Sequence, residues 1–414
     1  MNEKTYVKNL RCVECGREYK IDPIYVCEFC FGPLEVTYDY ERIRIDMTRQ
    51  KIESRPHNMW RYRELLPIDG DPVTGFDTGY TPLMRARNLA RAWGVKEIYL
   101  KDDSVNHPTL SFKDRVVAVA ITKAKEFGFD TVACASTGNL ANSVAAQSAR
   151  AGMKRFIFTP SDLELSKTIN SLVYHPNLVT VDGNYDEVNR LCSEVANKYH
   201  WAFVNINIRP FYGEGSKSLG FEVAEQLGWK TPHNIVVPNA SGSLMTKIWK
   251  SFKELEKLGL VPPVKTRVFA AQATGCNPST TAIKENSDVI RPVKPRTIAK
   301  SLAIGNPADG YYAARVTRDT GGHGEDSTDQ EIIDAMKLLA ETEGVFAETA
   351  GGVTVSAAKK LVESGRISKD ETLVICITGN GLKTTEAIVD HLPRPTPIRP
   401  NMDAFEELLR KLQE

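Results

Sequence analysis

The segment Thr109-Leu110-Ser111-Phe112-Lys113-Asp114-Arg115 places a lysine where a buried amine could hold an aldehyde cofactor as an imine. Alone, a lysine beside an aspartate and an arginine reads as a solvated helix start. Two other segments change that reading. Thr131-Val132-Ala133-Cys134-Ala135 is a short apolar strand running into Ser136-Thr137-Gly138-Asn139 and a helix-like stretch from Leu140. Asn234-Ile235-Val236-Val237-Pro238 is a second buried strand, feeding Asn239-Ala240-Ser241-Gly242-Ser243 and an amphipathic run from Leu244. Small residues in that loop let main-chain amides approach an anion, and the helix N-terminus behind it adds positive potential. The pattern is a phosphate cradle, yet no nucleotide fingerprint: a Walker-type lysine and G-x-G-x-x-G are both missing. A third buried strand, Thr372-Leu373-Val374-Ile375-Cys376-Ile377, ends in Thr378-Gly379-Asn380-Gly381. The neutral hydroxyl of Thr378 could bond a pyridine nitrogen without forcing a charge onto it.

These turns need a scaffold that gathers strand ends. Apolar stretches at 98–100, 131–135, 156–158, 177–181, 202–206, 235–237, 267–271 and 372–377 alternate with helical patterns, the signature of βαβ units in an α/β fold. In open α/β sheets ligands gather beyond the carboxyl ends of strands, where the 136–139 and 239–243 turns fall. Periodicity predicts a helix over 113–127, with Val116, Val117, Ala120, Ile121, Ala124 and Phe127 inward and Lys123, Lys125 and Glu126 mostly outside. A chain of 414 residues exceeds one compact core, so two sizeable domains and a small appendage are expected. Residues 41–75 read as a linker draped over the body and anchored by Trp60-Arg61-Tyr62. Residues 393–414 read as a proline-rich tail with a short amphipathic helix from Met402.

Four of the eight cysteines are organised: Cys12, Cys15, Cys27 and Cys30 form C-x2-C-x11-C-x2-C. Two thiolate knuckles, with Gly16 and Gly32 to permit tight turns, suit tetrahedral zinc with no open position, so a structural metal is expected. Residues 1–40 can scarcely bury enough apolar surface alone, and metal binding would supply the missing folding energy. Disulfide or redox use is the alternative, weakened by the lack of a thioredoxin-like setting. At the edge of the chain this ribbon reads as detachable, with assembly contacts as a further role. Cys134, Cys192, Cys276 and Cys376 lie among apolar neighbours and read as inert packing residues.

Composition narrows the partners. Hydrophobic residues at 42% and charged residues at 25% exclude a disordered or collagen-like chain, and no apolar run is long enough to span a bilayer. A net charge of +1 without lysine or arginine blocks gives no nucleic-acid stripe. The start Met1-Asn2-Glu3-Lys4-Thr5-Tyr6 lacks a secretory signal, which favours the cytoplasm. The seven histidines show no metal spacing, and His107 reads as a turn or supporting residue.

In chain order, Gly79-Tyr80-Thr81-Pro82-Leu83, Ser111-Phe112-Lys113-Asp114-Arg115, Ser136-Thr137-Gly138-Asn139, Glu214-Gly215-Ser216-Lys217, the 239–243 loop and Thr378-Gly379-Asn380-Gly381 resemble the fold-type II family of pyridoxal-phosphate enzymes. Within it the match is to the threonine synthases, from near Trp60 to near Leu392. The resemblance implies two doubly wound α/β domains behind the ribbon: a larger, cofactor-binding one from 41–115 and 214–392, and a smaller one from 116–213. It implies that Lys113 holds the pyridoxal phosphate and then shuttles protons. Asn139 would contact the ring oxygen, Thr378 the ring nitrogen, and Asn239, Ala240, Ser241, Gly242 and Ser243 the cofactor phosphate. The 239–243 loop is less glycine-rich than in relatives, which leaves open which of its amides bind. Ser136, Thr137 and Gly138 would receive the substrate carboxylate. Arg209 and Lys217 are candidates for a substrate phosphate, with bracing of the fold as the alternative for Lys217. Asp114 and Arg115 orient the helix start, and Glu348-Thr349-Ala350-Gly351-Gly352 lines the cleft wall without an assigned step.

The implied reaction converts O-phospho-L-homoserine and water to L-threonine and phosphate. Protons leave Cα and then Cβ, phosphate leaves Cγ, and water adds at Cβ. Cysteate synthase, which uses phosphoserine and sulfite, is the sharpest rival, whereas a threonine dehydratase or serine racemase needs no substrate-phosphate site. A ribbon module on a catalytically dead scaffold is the rival of another class, and intact Lys113, Asn139 and Thr378 argue against it. Homodimers are common among relatives and are expected here.

Overall fold

The computed structural model describes residues 5–136, 138–161, 165–183 and 185–413. At its N-terminal end Val7–Cys12 (β1), Glu18–Tyr19 (β2) and Leu34–Tyr38 (β3) form an antiparallel sheet in the order β2-β1-β3. Residues of β3 alternate between buried and half-buried, as a strand with one packed face should. That face is continuous with the main core: Leu10, Leu34, Val36 and Tyr38 share a buried cluster with Val116, Phe211 and Ile248. Tyr38 Oη donates to Glu214 Oε2 at 2.8 Å, and Lys247 pairs with Glu35. The ribbon is therefore integral to the body, which corrects the expectation of a detachable appendage.

Leu83–Arg85 (β4) and Glu97–Asp102 (β5) follow, then Thr131–Ala135 (β6), Lys154–Pro160 (β7), Asn177–Val181 (β8) and Ala202–Phe203 (β9). Asn234–Pro238 (β10), Arg267–Ala273 (β11), Gly324–Ser327 (β12) and Thr372–Ile377 (β13) complete the set. They build a six-stranded sheet, β12-β11-β10-β13-β5-β4, and a four-stranded sheet, β8-β7-β6-β9. Every pairing in the two sheets is parallel except β4 with β5. Parallel sheets need both faces covered, and β6 and β10 are buried at every residue. Seven of the eight apolar stretches read from the sequence lie within strands, and 202–206 is a strand only at Ala202–Phe203 before it turns. β12, with the sequence Gly-Glu-Asp-Ser, was not foreseen, because an edge strand with polar residues carries no apolar signal.

The helices that bear on the site are Lys113–Glu126 (α1), Asn139–Arg150 (α2), Arg209–Glu214 (α3), Lys217–Gln226 (α4), Ser243–Lys257 (α5) and Thr349–Glu363 (α6), and Met402–Gln413 (α7) follows an exposed linker. α1 matches its predicted span to one residue. Its solvent face is narrower than periodicity predicts: Lys123 is only 1% exposed, with its ammonium 2.7 Å from Asp69 and 3.0 Å from Glu126. The 41–75 segment supplies that cover. Trp60, Arg61 and Tyr62 are buried as expected, and Arg61 pairs with Glu225 at 2.7 Å. Among the described residues no helix is long and apolar enough to cross a membrane.

Candidate active site and metal centre

Strands β10, β13 and β5 are adjacent, so the turns that follow them share one edge of the larger sheet. Ser111 bridges to Gly379, and Phe112 N–H donates to the Thr378 carbonyl at 2.9 Å, which holds the Thr378 turn against the start of α1. Lys113 Nζ lies 3.1 Å from Tyr212 Oη and 4.6 Å over the Phe112 ring. Tyr212 had no assigned role in the sequence reading. The available signal was its place one helical turn after Arg209, since residues three apart share a helix face.

Asp114 and Arg115 explain how Lys113 is fixed. Asp114 is buried and accepts from Thr109 N and Oγ1, each at 2.9 Å, and from Ser143 Oγ on α2 at 2.6 Å. Burial lifts its carboxyl to about 6. The first turn of α1 is thereby stapled to the helix that carries Asn139. Arg115 is fully buried, bonded to Asp103 at 2.7 and 2.8 Å and to Glu222 at 2.5 and 2.8 Å, with Lys101 2.7 Å from Glu222. Two cations facing two carboxylates let all four charges stay buried.

Asn139 Nδ2 donates to Glu348 Oε2 at 2.9 Å. Glu348 N–H donates to the Gly379 carbonyl at 2.9 Å, and a Cβ at position 379 would stand 2.5 Å from the Glu348 carboxyl carbon. Burial raises the Glu348 carboxyl, while the Asn139 hydrogen bond and the charges of Lys383 and Lys113 act in the opposite sense. The sequence placed Glu348 in the cleft wall without a role, and no local pattern could have supplied one. Its partner Asn139 lies 209 positions away.

At the phosphate cradle Gly242 has φ +102°, and a Cβ there would meet the Asp309 carbonyl oxygen at 2.5 Å, so only glycine lets the loop pass. It precedes α5, a 15-residue helix with no side-chain cap, whose first N–H groups face the loop. Asn239 is 1% exposed, yet among the described residues neither its Nδ2 nor its Oδ1 has a hydrogen-bond partner, and buried Ser111 Oγ is also unpartnered there. Native interiors rarely leave such groups unsatisfied without a ligand or water to meet them. An amine, an uncapped helix N-terminus, orphaned polar atoms and a neutral threonine together fit an aldehyde that bears a phosphate.

Arg209 Nη2 lies 2.9 Å from Asp309 Oδ1, and Asp309 N–H donates to the Ser241 carbonyl at 2.8 Å, so one aspartate ties the arginine to the cradle. A cavity of about 250 Å³ beside it is lined by Arg209, Ser243 and Asp309 and, from the ribbon, by Val13, Pro33 and Leu34. Lys217 is a correction. It is fully buried, 2.6 Å from Glu214 and 2.9 Å from Glu254, with its ammonium 4.1 Å over the Tyr38 ring. A lysine enclosed by two carboxylates braces α4, α5 and the ribbon and has no path to a substrate. Ser136 is half-buried, its Oγ accepting from Gly138 N–H at 3.3 Å at the start of α2. Thr137 lies outside the described residues.

In the ribbon the Sγ atoms of Cys12, Cys15, Cys27 and Cys30 lie within 4.8 Å of one another, with Cys12–Cys30 at 3.4 Å and Cys15–Cys27 at 3.6 Å. Tetrahedral zinc with Zn–S near 2.3 Å needs sulfurs about 3.8 Å apart, so the donor set fits that ion. The knuckles turn alike: Gly16 N–H bonds the Cys12 carbonyl and Phe31 N–H the Cys27 carbonyl, with φ of +75° and +58°. Phe31 therefore takes the turn position expected of Gly32. The other four cysteines are buried, as expected of packing residues.

Comparison with known proteins agrees with this geometry. The family model described as pyridoxal-phosphate dependent enzyme matches residues 76–379, and the NinF protein model matches residues 11–35. Threonine synthase of Methanocaldococcus jannaschii is 38% identical over 97% of this chain and 99% of its own length. Threonine synthase of Halalkalibacterium halodurans is 35% identical over 83% of this chain and 96% of its own length. Among solved structures, maize serine racemase superposes with a TM-score of 0.62 at 20% identity, covering 80% of this chain and 92% of that one. An O-ureido-L-serine synthase reaches 0.65 at 18% identity, covering 82% of this chain and 99% of that one. At those identities the structural likeness speaks to the fold alone.

Proposed function

Because the chain belongs to the threonine synthases of the pyridoxal-phosphate dependent enzyme family, we propose that it converts O-phospho-L-homoserine and water to L-threonine and phosphate. The observation that carries the substrate is Arg209, a partly exposed guanidinium at a cavity beside the cofactor cradle, where a second phosphate would find a partner of matching geometry. On this reading the domains are 41–115 with 214–392 and 116–213. A homodimer in the cytoplasm is the assembly and location that go with this reading.

Pyridoxal phosphate, when bound, supplies an electron sink for charge developing at the substrate carbons. Lys113 Nζ would hold the cofactor and, once free, take protons from Cα and Cβ and return protons to Cγ, which becomes the methyl group, and to Cα, oriented by Tyr212 Oη. Amides of the Asn239–Ser243 loop and the start of α5 hold the cofactor phosphate. Thr378 would meet the ring nitrogen as a neutral group, and Asn139 would meet the ring oxygen. Ser136, Thr137 and Gly138 take the substrate carboxylate, and Arg209 exchanges Asp309 for the substrate phosphate. The decisive assay supplies O-phospho-L-homoserine, then O-phospho-L-serine with sulfite, and measures phosphate release and the amino acid formed. Cysteate without threonine overturns the assignment.

Glu348 is a positioning residue in this scheme, because it fixes the Asn139 amide. Glu348→Ala is expected to lower kcat by about tenfold to a hundredfold with little change in KM, the scale of a misplaced contact. Glu348→Gln keeps an acceptor for Asn139 and should retain most of kcat. A protonated Glu348 keeps the same carbonyl acceptor for Asn139, so the raised Glu348 carboxyl should leave kcat against pH alike in the parent and in Glu348→Gln. A loss in Glu348→Gln as large as in Glu348→Ala would remove the acceptor role of Glu348 from the scheme.

Zinc in the ribbon is structural on this reading, since four sulfurs leave no open position. One zinc per chain is expected by metal analysis. Cys12→Ser should abolish it and lower Tm by about 5 °C or more, because the ribbon shares the main core. Zinc-free protein of unchanged Tm would contradict this.

A further inference from the structure

Helix α7 has no buried residue. Met402, Phe405, Leu409 and Leu412 are 65%, 46%, 41% and 74% exposed. Their 3-4-3 spacing is that of the a and d positions of a two-helix seam. The helix hangs from an exposed linker, 393–400, that contains Pro393, Pro395, Pro397 and Pro400. An extended linker of this kind reaches about 25 Å at ~3.1 Å per residue. The apolar exposure continues back onto the body through Leu382, Val389 and Leu392. A stripe of this kind that covers nothing in its own chain marks a contact surface.

Charge identifies the occupant. The first half of α7 carries Asp403, Glu406 and Glu407, and the second half carries Arg410 and Lys411. An antiparallel pair of identical helices sets each acidic half against the other's basic half, and each seam against itself. A parallel pair would set like charges together. Such a pairing is generated by one two-fold axis, which uses the same patch on both chains. We propose that α7 is an arm that fastens this chain to a second copy of itself, the two helices packing antiparallel. The inference rests on the homodimer reading above and assigns its interface. Two helices this short bury less than the ~1,600 Å² of a typical stable interface, so the exposed Leu382–Leu392 edge joins the same contact.

Sedimentation velocity of the full-length holoenzyme tests the arm. The parent should sediment as a dimer, and Phe405→Glu with Leu409→Glu should raise the dimer Kd by at least about a hundredfold. Catalysis per site should hold, because no α7 residue is buried. Glu406→Lys with Glu407→Lys, and separately Arg410→Glu with Lys411→Glu, should each weaken self-association. Mixing these two variants should restore a mixed dimer. A monomeric parent overturns both the homodimer and the arm. A dimer unmoved by the Phe405 and Leu409 substitutions overturns the arm alone, and failure of the mixed variants to pair overturns the antiparallel arrangement.

Discussion

Lys113→Ala is expected to fold as the parent does and to lose at least about ten-thousand-fold in turnover, because one amine both anchors the cofactor and moves the substrate protons. The fold should survive, since Lys113 contributes one hydrogen bond, to Tyr212 Oη, while Asp114 and Arg115 hold the helix start without it. Lys383 is a second amine in this region, and burial lowers its pKa. Its Nζ donates to the Thr109 carbonyl at 2.5 Å, which commits it to the main chain. Borohydride reduction of the loaded protein, followed by peptide mass analysis, checks the assignment. The parent should carry the adduct at position 113 and the variant should carry none. An adduct retained in the variant would falsify the role given to Lys113 and point to Lys383.

Arg115→Ala carries the largest expected loss of stability, about 3–5 kcal/mol, although Arg115 stands only two positions from Lys113. Its removal leaves Asp103 and Glu222 buried against Lys101 alone. The pH dependence has a definite sign. Burial alone would raise the Glu222 carboxyl, yet Arg115 and Lys101 hold it at about 2, below its ordinary 4.5. The stability it contributes is complete above 4.5 and is lost as pH falls through about 2. Without Arg115 the Glu222 carboxyl rises, so acid unfolding should begin at higher pH as well as from a lower neutral baseline. Urea unfolding at neutral pH and an acid titration followed by circular dichroism measure both. A variant of parental stability with an unmoved acid midpoint would show that the network does not depend on Arg115.

These expectations rest unequally on sequence and on structure. The start of α1 at Lys113 and the strand ends at Ala135, Pro238 and Ile377 were legible from strand, turn and helix signals that span a few residues each. The same holds for α1, whose span periodicity predicted to one residue. Polar edge strand β12 was not legible, because its residues answer to solvent on one side rather than to a repeating pattern.

By itself the sequence determined which residue types stand at strand ends, which four cysteines pair into knuckles, and which lysine opens a helix. Those are local matters, set by period and turn chemistry within one element. Tertiary structure alone decided that Lys123 and Lys217 are buried, that Tyr212 meets Lys113, that Glu348 fixes Asn139, and that the ribbon is part of the core. Whether a charge ends in solvent or in the interior depends on partners brought from far along the chain, such as Glu254 for Lys217 and Asp69 for Lys123. Helical periodicity averages over one element and cannot register a carboxylate arriving from another.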